Sequence, residues 1–476
     1  MQPTKKIGLL LGPLLFFLIH FLPITLVSDK GDAVIAIAVW MVVWWITETV
    51  NIAVTALLPL ILFPLLKVMP IADVGANYGS PIIFLFFGGF VLALALEKVN
   101  LHRRIALNIV KLTGTTPEKV VLGFMLATAF MSMWISNTAS TVVMLPIAIS
   151  VIKLLIDDKD GFTKGDKNFA LSIMLGIAFA ANAGGIATVI GTPPNSVLIG
   201  LLENQYNIQI SFLTWMSFGL PFSILMITAV YFVLVKWMFP CKGIVFTSSA
   251  NLITEEIDKL GNISKEEKRV LTIFAFTVFL WISRTLINSI FPGLKLSDTI
   301  ISLIGAVALF AIPMNFKKGD FILEWNDTSK LAWGILLLFG GGLALAKGMA
   351  SSGLVALITD TIAAGEFNIL FTVSLLIVLM LFMTELMSNV ALVAVLAPIV
   401  AGIAIGLNIP ILNLLIPVTM ASSCAFMLPM ATPPNAIVFA SGYVKVKQMV
   451  RAGVILNIIA VCLLILYYQF VIPLFF

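Results

Sequence analysis

Two short polar motifs each occur twice inside an almost unbroken apolar sequence. Ser136-Asn137-Thr138 returns as Ser388-Asn389-Val390, and Thr192-Pro193-Pro194-Asn195 returns as Thr432-Pro433-Pro434-Asn435. A common offset of 252 residues relates Gly88 to Gly340, Asn137 to Asn389 and Pro146 to Pro398, so the repetition reads as a duplication of the chain. Small polar residues, Gly and Pro recurring at matching positions in two apolar halves point to a transporter, with its substrate site where the halves meet.

The apolar character is extreme. Hydrophobic residues make up 60% of the chain and charged residues 11%, with a mean hydropathy of +1.11. A soluble domain carries about 25% charged residues. The chain therefore reads as an all-α polytopic membrane protein, with room for about ten or more spans of roughly 20 residues. The stretch Ile7 to Val27 is long for a signal sequence and lacks a small-residue cleavage site before Ser28-Asp29, so it is expected to be a retained first helix. The net charge of +5 suggests a nucleic-acid partner only until the charges are placed. Most Lys and Arg, among them Lys5, Lys6, Arg103, Arg104, Lys242, Lys268 and Lys445, fall in loops on one side. Lys30, Lys67 and Lys295 fall on the other, and Arg284 and Lys347 lie inside apolar segments. The positive-inside rule then predicts a cytoplasmic N-terminus and an external C-terminus in a cell membrane.

Helical spans are expected at about 7–27, 32–47, 51–68, 81–110, 169–191, 213–238, 269–290, 297–315, 331–350, 411–431 and 451–475. Two stretches do not fit simple spans. Val120 to Ile152 has no charged residue; it is too long for one crossing of about 20 residues and too short for two plus a turn. A polar turn, Ser136-Asn137-Thr138, lies at its middle. This predicts a re-entrant hairpin, and Phe367 to about Pro410 repeats the pattern around Ser388-Asn389. Such backbone is tolerated at membrane depth only when buried in protein or lining a cavity. An odd number of crossings per half turns the second half upside down. The domain plan is a first helix at 1–30, a first inverted repeat at 31–241 with a cytoplasmic-side hairpin near 118–155, a charged cytoplasmic linker at 242–268, and a second inverted repeat at 269–476 with an external-side hairpin near 367–408.

The Thr-Pro-Pro-Asn motifs should break their helices, because two prolines remove two backbone donors and bar helix continuation. The helix restarts with Pro in its first turn. An unwound segment offers free carbonyls to a small cation and free N–H groups to an anion at a helix N-terminus. Ser and Asn at the hairpin tips add neutral oxygens that coordinate cations and hydrogens that donate to carboxylates. No Arg or Lys lies within either tip or either break. A bound cation would supply the missing positive charge for an anion, which couples the two by mutual stabilisation.

The paired Ser-Asn tips, the paired Thr-Pro-Pro-Asn breaks and the run from Thr47-Glu48-Thr49-Val50-Asn51 to Leu57-Leu58-Pro59 resemble the divalent-anion/sodium symporter family, the INDY-type di- and tricarboxylate transporters. The resemblance covers essentially the whole chain. It implies an eleven-span, lipid-embedded homodimer, with a scaffold domain and a hairpin-bearing transport domain that moves like an elevator. Carried over residue by residue, it places one Na⁺ site at Ser132, Ser136, Asn137 and Gly191. A second falls at Thr384, Met387 through its backbone carbonyl, Asn389 and Ala431. Substrate carboxylates would meet Ser136, Asn137, Thr138, Ser388, Asn389 and Thr432, beside Thr192, Pro193, Val390 and Pro433. The chain departs from the family at Val390, where Thr is usual, which removes a hydroxyl from one end of the site.

The remaining polar candidates weigh less. Glu48 and Glu385 lie near helix or hairpin ends, and intramembrane charges are functional by default. Lys347 can snorkel to the surface, and Arg284 can bridge helices; either cation facing substrate would weaken the case for Na⁺. The glycine runs at Gly88-Gly89 and Gly340–Gly342 suit close helix packing better than phosphate binding. Cys241, Cys424 and Cys462 have no metal or redox spacing, and His20 and His102 offer no ligand pair. No His/Asp/Cys constellation supports an enzyme. The resemblance therefore implies a secondary transporter for succinate, malate, fumarate, 2-oxoglutarate or citrate, coupled to Na⁺ and without an organic cofactor. The alternative is a Na⁺-independent dicarboxylate exchanger, an antiporter of the same family.

Overall fold

The computed structural model describes residues 3–21, 27–114, 116–156, 163–241, 249–315 and 320–476. It is nearly all helical; the strands among these residues are the short antiparallel pair Pro313–Asn315 and Asp320–Phe321. Eight helices among the described residues are long and apolar enough to cross a membrane. The other expected spans appear as shorter helices: 51–68 as Ile52–Thr55 and Leu58–Leu65, 297–315 as Asp298–Ala311, and 411–431 as Ile411–Ser422. The first stretch forms Pro3–His20, and part of the expected 7–27 span lies outside the described residues.

The expected single helix at 81–110 is two helices. Pro81–Lys98 ends at Asn100, whose φ of 57° is left-handed, and Leu101–Thr113 follows with Arg103, Arg104 and Lys111. Asn is among the few side chains that tolerate this conformation. The second half breaks at the matching place, between Trp333–Ser351 and Leu354–Ala363, where Gly353 has a φ of 86°.

The duplication extends from sequence to element boundaries. Pro117–Ser132 and Ile369–Thr384 coincide at both ends under the 252-residue offset. Each is followed by a second helix, Asn137–Ile156 or Asn389–Gly406. The offset falls to 240 at the Thr-Pro-Pro-Asn motifs, chiefly because the 12-residue Ile411–Ser422 replaces the 22-residue Lys164–Gly185. The last helices in the two sets are Phe212–Tyr231 and Val446–Leu466.

The halves interlock crosswise. Pro81–Lys98 packs on Asp298–Ala311, and Trp333–Ser351 packs on the helices within 52–65. Glycine makes this possible: a Cβ on Gly88 would lie 2.6 Å from the Ser302 hydroxyl, and one on Gly341 would collide with the Ala56 carbonyl. In an apolar phase, such close backbone approach replaces water exclusion as the source of helix association. The glycine runs are therefore packing seams.

A second correspondence fixes the ends of two long helices. Trp45-Ile46-Thr47-Glu48 is mirrored by Trp281-Ile282-Ser283-Arg284. Trp45 donates its indole N–H to the Ile52 carbonyl at 3.2 Å, and Trp281 donates to the Asp298 carbonyl at 3.0 Å. Arg284 pairs with Asp298 at 3.1 Å, and the other Asp298 oxygen accepts from Phe212 N at 2.8 Å. Arg284 is thus held in a structural bridge, whereas Glu48 is exposed at its helix end.

The linker helix Ser249–Lys259 rests on Leu101–Thr113. Arg104 pairs with Glu267 at 2.7 Å and donates to the Leu260 and Gly261 carbonyls, while Arg103 pairs with Glu256. Hydrogen bonds from Lys259 and then Arg103 hold the Glu256 carboxyl below the ordinary carboxylate range. Residues 242–248 of the expected linker lie outside the described residues. Cys241 and Cys424 are buried and Cys462 exposed, all as free thiols, and the described residues contain no group of three His, Cys, Asp or Glu able to hold a metal.

Candidate substrate and cation site

Four helices begin at the repeated motifs. Asn137–Ile156 starts within Ser136-Asn137-Thr138, Pro193–Tyr206 follows Thr192, Asn389–Gly406 follows Ser388, and Pro433–Ala440 follows Thr432. Each start carries the positive end of a helix dipole, and those at Asn137 and Asn389 leave backbone N–H groups free of intrahelical partners, whereas Pro193-Pro194 and Pro433-Pro434 have none to offer. The pairs cross between halves: Asn137–Ile156 packs on Pro433–Ala440, and Asn389–Gly406 on Pro193–Tyr206. Ser136 is exposed and its hydroxyl accepts from Ala139 N at 3.1 Å. Asn137, Thr138, Pro193, Ser388, Asn389 and Val390 are half-buried, Thr192 and Thr432 are buried, and Pro433 is exposed. These positions suit an anion reached from an open side.

Beside the first turn lies a group of neutral oxygens. The Ser132 hydroxyl lies 2.6 Å from Asn137 Oδ1 and 2.7 Å from the Ala181 carbonyl. It has one proton for two acceptors. A Cβ on Gly185 would fall 2.6 Å from Asn137 Oδ1 and 3.1 Å from the Gly191 carbonyl, and one on Gly191 would fall 3.0 Å from the Ser132 carbonyl. Ser132, Asn137, Gly185 and Gly191 are therefore packed closely together, with their oxygens gathered at one place. A hard cation seated there would relieve the competition for the single proton, and its preferred ligands are oxygens.

The second half repeats the arrangement. The Thr384 hydroxyl lies 2.8 Å from Asn389 Oδ1 and 2.7 Å from the Ser422 carbonyl. Met387 is buried in the turn between Thr384 and Asn389, and Ala431 is buried at the end of the break. The conserved chemistry is one hydroxyl, one amide oxygen and one carbonyl per half.

The breaks are held open by the asparagine that ends each motif. Asn195 donates to the Thr188 carbonyl at 2.8 Å and the Ile186 carbonyl at 3.3 Å. Asn435 donates to the Ala425 and Leu428 carbonyls, both at 3.1 Å. Thr188 adds a second tie, donating to the Met133 carbonyl and accepting from Gly191 N. In the second half, Glu385 does this work. Its carboxylate accepts from the N–H groups of Phe426, Met427 and Leu428 and from Asn457 Nδ2, at 2.8–3.2 Å. Gly185, Thr188 and Asn182 escaped the sequence reading.

Val390 packs against both apolar cores of the molecule, one of them built on Val34, Ile37, Met41 and Leu338, so its side chain has a packing role where Thr138 has a hydroxyl. The turns differ in docking too. Trp134 stacks on Phe212 at 6.0 Å and meets Phe274 edge-on at 5.2 Å. Its counterpart Leu386 is 68% exposed.

A family model described as the sodium:sulfate symporter transmembrane region matches residues 4–476. The chain belongs to the divalent-anion/sodium symporter family. It is accordingly a multi-pass membrane protein. It is 40% identical over 477 residues to the sodium-dependent dicarboxylate transporter SdcS of Staphylococcus saprophyticus, covering 98% of this chain and 92% of that protein. The SdcS of Staphylococcus aureus is also 40% identical, over 98% of this chain and 91% of its own. Two solved structures share the fold at low identity. The YdaH transporter of Alcanivorax borkumensis aligns with a TM-score of 0.59 at 13% identity, over 84% of this chain and 88% of its own. MtrF of Neisseria gonorrhoeae aligns at 0.54 and 10% identity, over 99% and 96%.

Proposed function

We propose that this protein is a Na⁺-coupled symporter of C4-type dicarboxylates, of the succinate, malate and fumarate class. The observation that carries the reading is the twice-repeated oxygen group, Ser132 with Asn137 and Thr384 with Asn389, at helix starts that lack any side-chain cation. Na⁺ at each group provides the charge that a dianion requires, and free N–H groups at the helix starts of Asn137 and Asn389, with the dipoles of all four helices, orient its carboxylates. Arg284, one of the two rival sources of positive charge with Lys347, is committed to Asp298. The identity to sodium-dependent dicarboxylate transporters supports both the ion and the substrate class.

In this reading the first cation is held by Ser132, Ser136, Asn137 and Gly191, and the second by Thr384, the Met387 carbonyl, Asn389 and Ala431. Ser136, Asn137, Thr138, Ser388, Asn389 and Thr432 meet the carboxylates, beside Thr192, Pro193, Val390 and Pro433. The two helix pairs are re-entrant hairpins in an inverted repeat. They ride in a transport domain that moves as an elevator within an eleven-span homodimer of the plasma membrane, with the N-terminus cytoplasmic and the C-terminus external. Succinate should raise the thermal stability of the purified protein in Na⁺ but not in choline. Asn137→Ala and Asn389→Ala should each abolish that rise while preserving a monodisperse protein. Retention of the full succinate response by both variants would refute the site.

A further inference from the structure

Asn182 lies in Lys164–Gly185, 1% exposed, one residue after the carbonyl that accepts from Ser132. Its amide crosses into the other half. Nδ2 donates to the Ala425 carbonyl at 3.1 Å, to the Thr432 hydroxyl at 3.1 Å and to Asn435 Oδ1 at 3.4 Å. The Ala425 carbonyl can only accept, so it fixes the orientation of the amide. The dipeptide Ala181-Asn182 thus touches the first oxygen group with its backbone and the second break with its side chain. One peptide of the helix thus joins the acceptor of the Ser132 hydroxyl to the side chain that contacts Thr432 and Asn435.

The link has no counterpart from the second half to the first break. By hydrogen-bond role Ser422 stands where Ala181 does, because Thr384 donates to its carbonyl as Ser132 donates to that of Ala181, so Ser423 follows it as Asn182 follows Ala181; the mirror partner of Asn435 is Asn195. The Ser423 hydroxyl and Asn195 Oδ1 are both buried and neither has a hydrogen-bond partner. A serine is too short to make the bond that asparagine makes in the first half. Mutual stabilisation of two sites requires a physical element that both bias, and this bond set joins the first oxygen group to the second break.

We propose that Asn182 is a positioning residue that couples the two cation sites, so that filling the first preorganises the second. The inference rests on the Na⁺-coupled reading above. Its test is the Na⁺ dependence of succinate uptake into proteoliposomes by the wild-type protein, Asn182→Leu, which is close in size and lacks the donor, and Asn182→Ala. The wild type should respond to Na⁺ with a Hill slope near two. Both variants should keep succinate uptake at saturating Na⁺, with a slope that falls toward one and half-saturation raised about fivefold, the effect of one net hydrogen bond. The effects of Ser132→Ala and Thr384→Ala on half-saturation should be non-additive in the wild type and additive in the Asn182→Leu background. Should Asn182→Leu fail to fold, the same slope and cycle are read in Asn182→Ala. An unchanged slope in a folded variant would overturn the coupling while leaving Na⁺ symport in place. Uptake by the wild type that ignores Na⁺ would overturn the symport reading and the coupling with it.

Discussion

The first oxygen group is closed by glycines, and the second has alanines at the same places, Ala425 for Gly185 and Ala431 for Gly191. A methyl at Gly191 would lie 2.5 Å from the Gly185 carbonyl, so the first half allows no side chain where the second half carries one. The first break is tied by Thr188 to a backbone carbonyl; the second is tied by the Glu385 carboxylate to three backbone N–H groups. Met133 stands at the place of Glu385. Trp134 is docked on aromatic rings and Leu386 faces outward. Duplication has therefore kept the hydroxyl–amide–carbonyl geometry and let its supports diverge. The hydroxyl, amide oxygen and carbonyl recur in both halves, and each half holds them with different neighbours.

The comparison is best broken where supports differ most. Arg284→Ala leaves Asp298 buried without its charge partner and should destabilise the protein by about 3–5 kcal/mol. Glu48→Gln, at the equivalent but exposed position, should change stability by less than about 0.5 kcal/mol. Thermal unfolding in detergent compares them, and equal losses would deny the asymmetry. Glu385→Gln weakens charge-assisted bonds to the second break and should cost about 1.5–3 kcal/mol. Met133→Leu, its counterpart, conserves volume and should cost less than about 1.5 kcal/mol, measured in the same way.

Smaller effects sharpen the contrast between the two oxygen groups. Gly191→Ala should weaken Na⁺ activation of uptake by about fivefold to a hundredfold or more, from an overpacking cost of about 1–3 kcal/mol. Ala431→Gly should stay within about threefold of wild type, because removing a methyl opens the second group without blocking it. Similar losses in both would mean that the groups are equally tight. Val390→Thr adds a hydroxyl worth about 1 kcal/mol, so the ranking of succinate, 2-oxoglutarate and citrate should shift by up to about tenfold in competition uptake. An unchanged ranking would assign Val390 to packing alone.

Much of this was legible in the sequence because polar residues stand out in an apolar chain. Ser136-Asn137-Thr138 and Thr192-Pro193-Pro194-Asn195 mark helix ends by their own chemistry, and their repetition at fixed offsets marks the two halves. The break at Asn100 was hidden because Pro81–Lys98 and Leu101–Thr113 join without Pro or Gly, and a left-handed asparagine leaves no periodic signal. Gly185 and Asn182 were hidden for a different reason. They sit in Ala180-Ala181-Asn182-Ala183-Gly184-Gly185, whose small residues read as an ordinary packing seam of a membrane helix. The Arg284–Asp298 bridge joins residues on separate helices, and only tertiary structure brings them together.

The central claim is that neutral oxygens in both halves hold the cations that make dianion binding favourable. The most direct measurement is uptake of labelled succinate into empty proteoliposomes and into proteoliposomes loaded with unlabelled succinate, with and without an inward Na⁺ gradient. The account predicts accumulation in empty vesicles driven by Na⁺, unsupported by K⁺ or choline, and weakened in its Na⁺ dependence by Ser132→Ala and Thr384→Ala before its maximal rate falls. Uptake that requires internal succinate and ignores Na⁺ would contradict it and establish exchange instead.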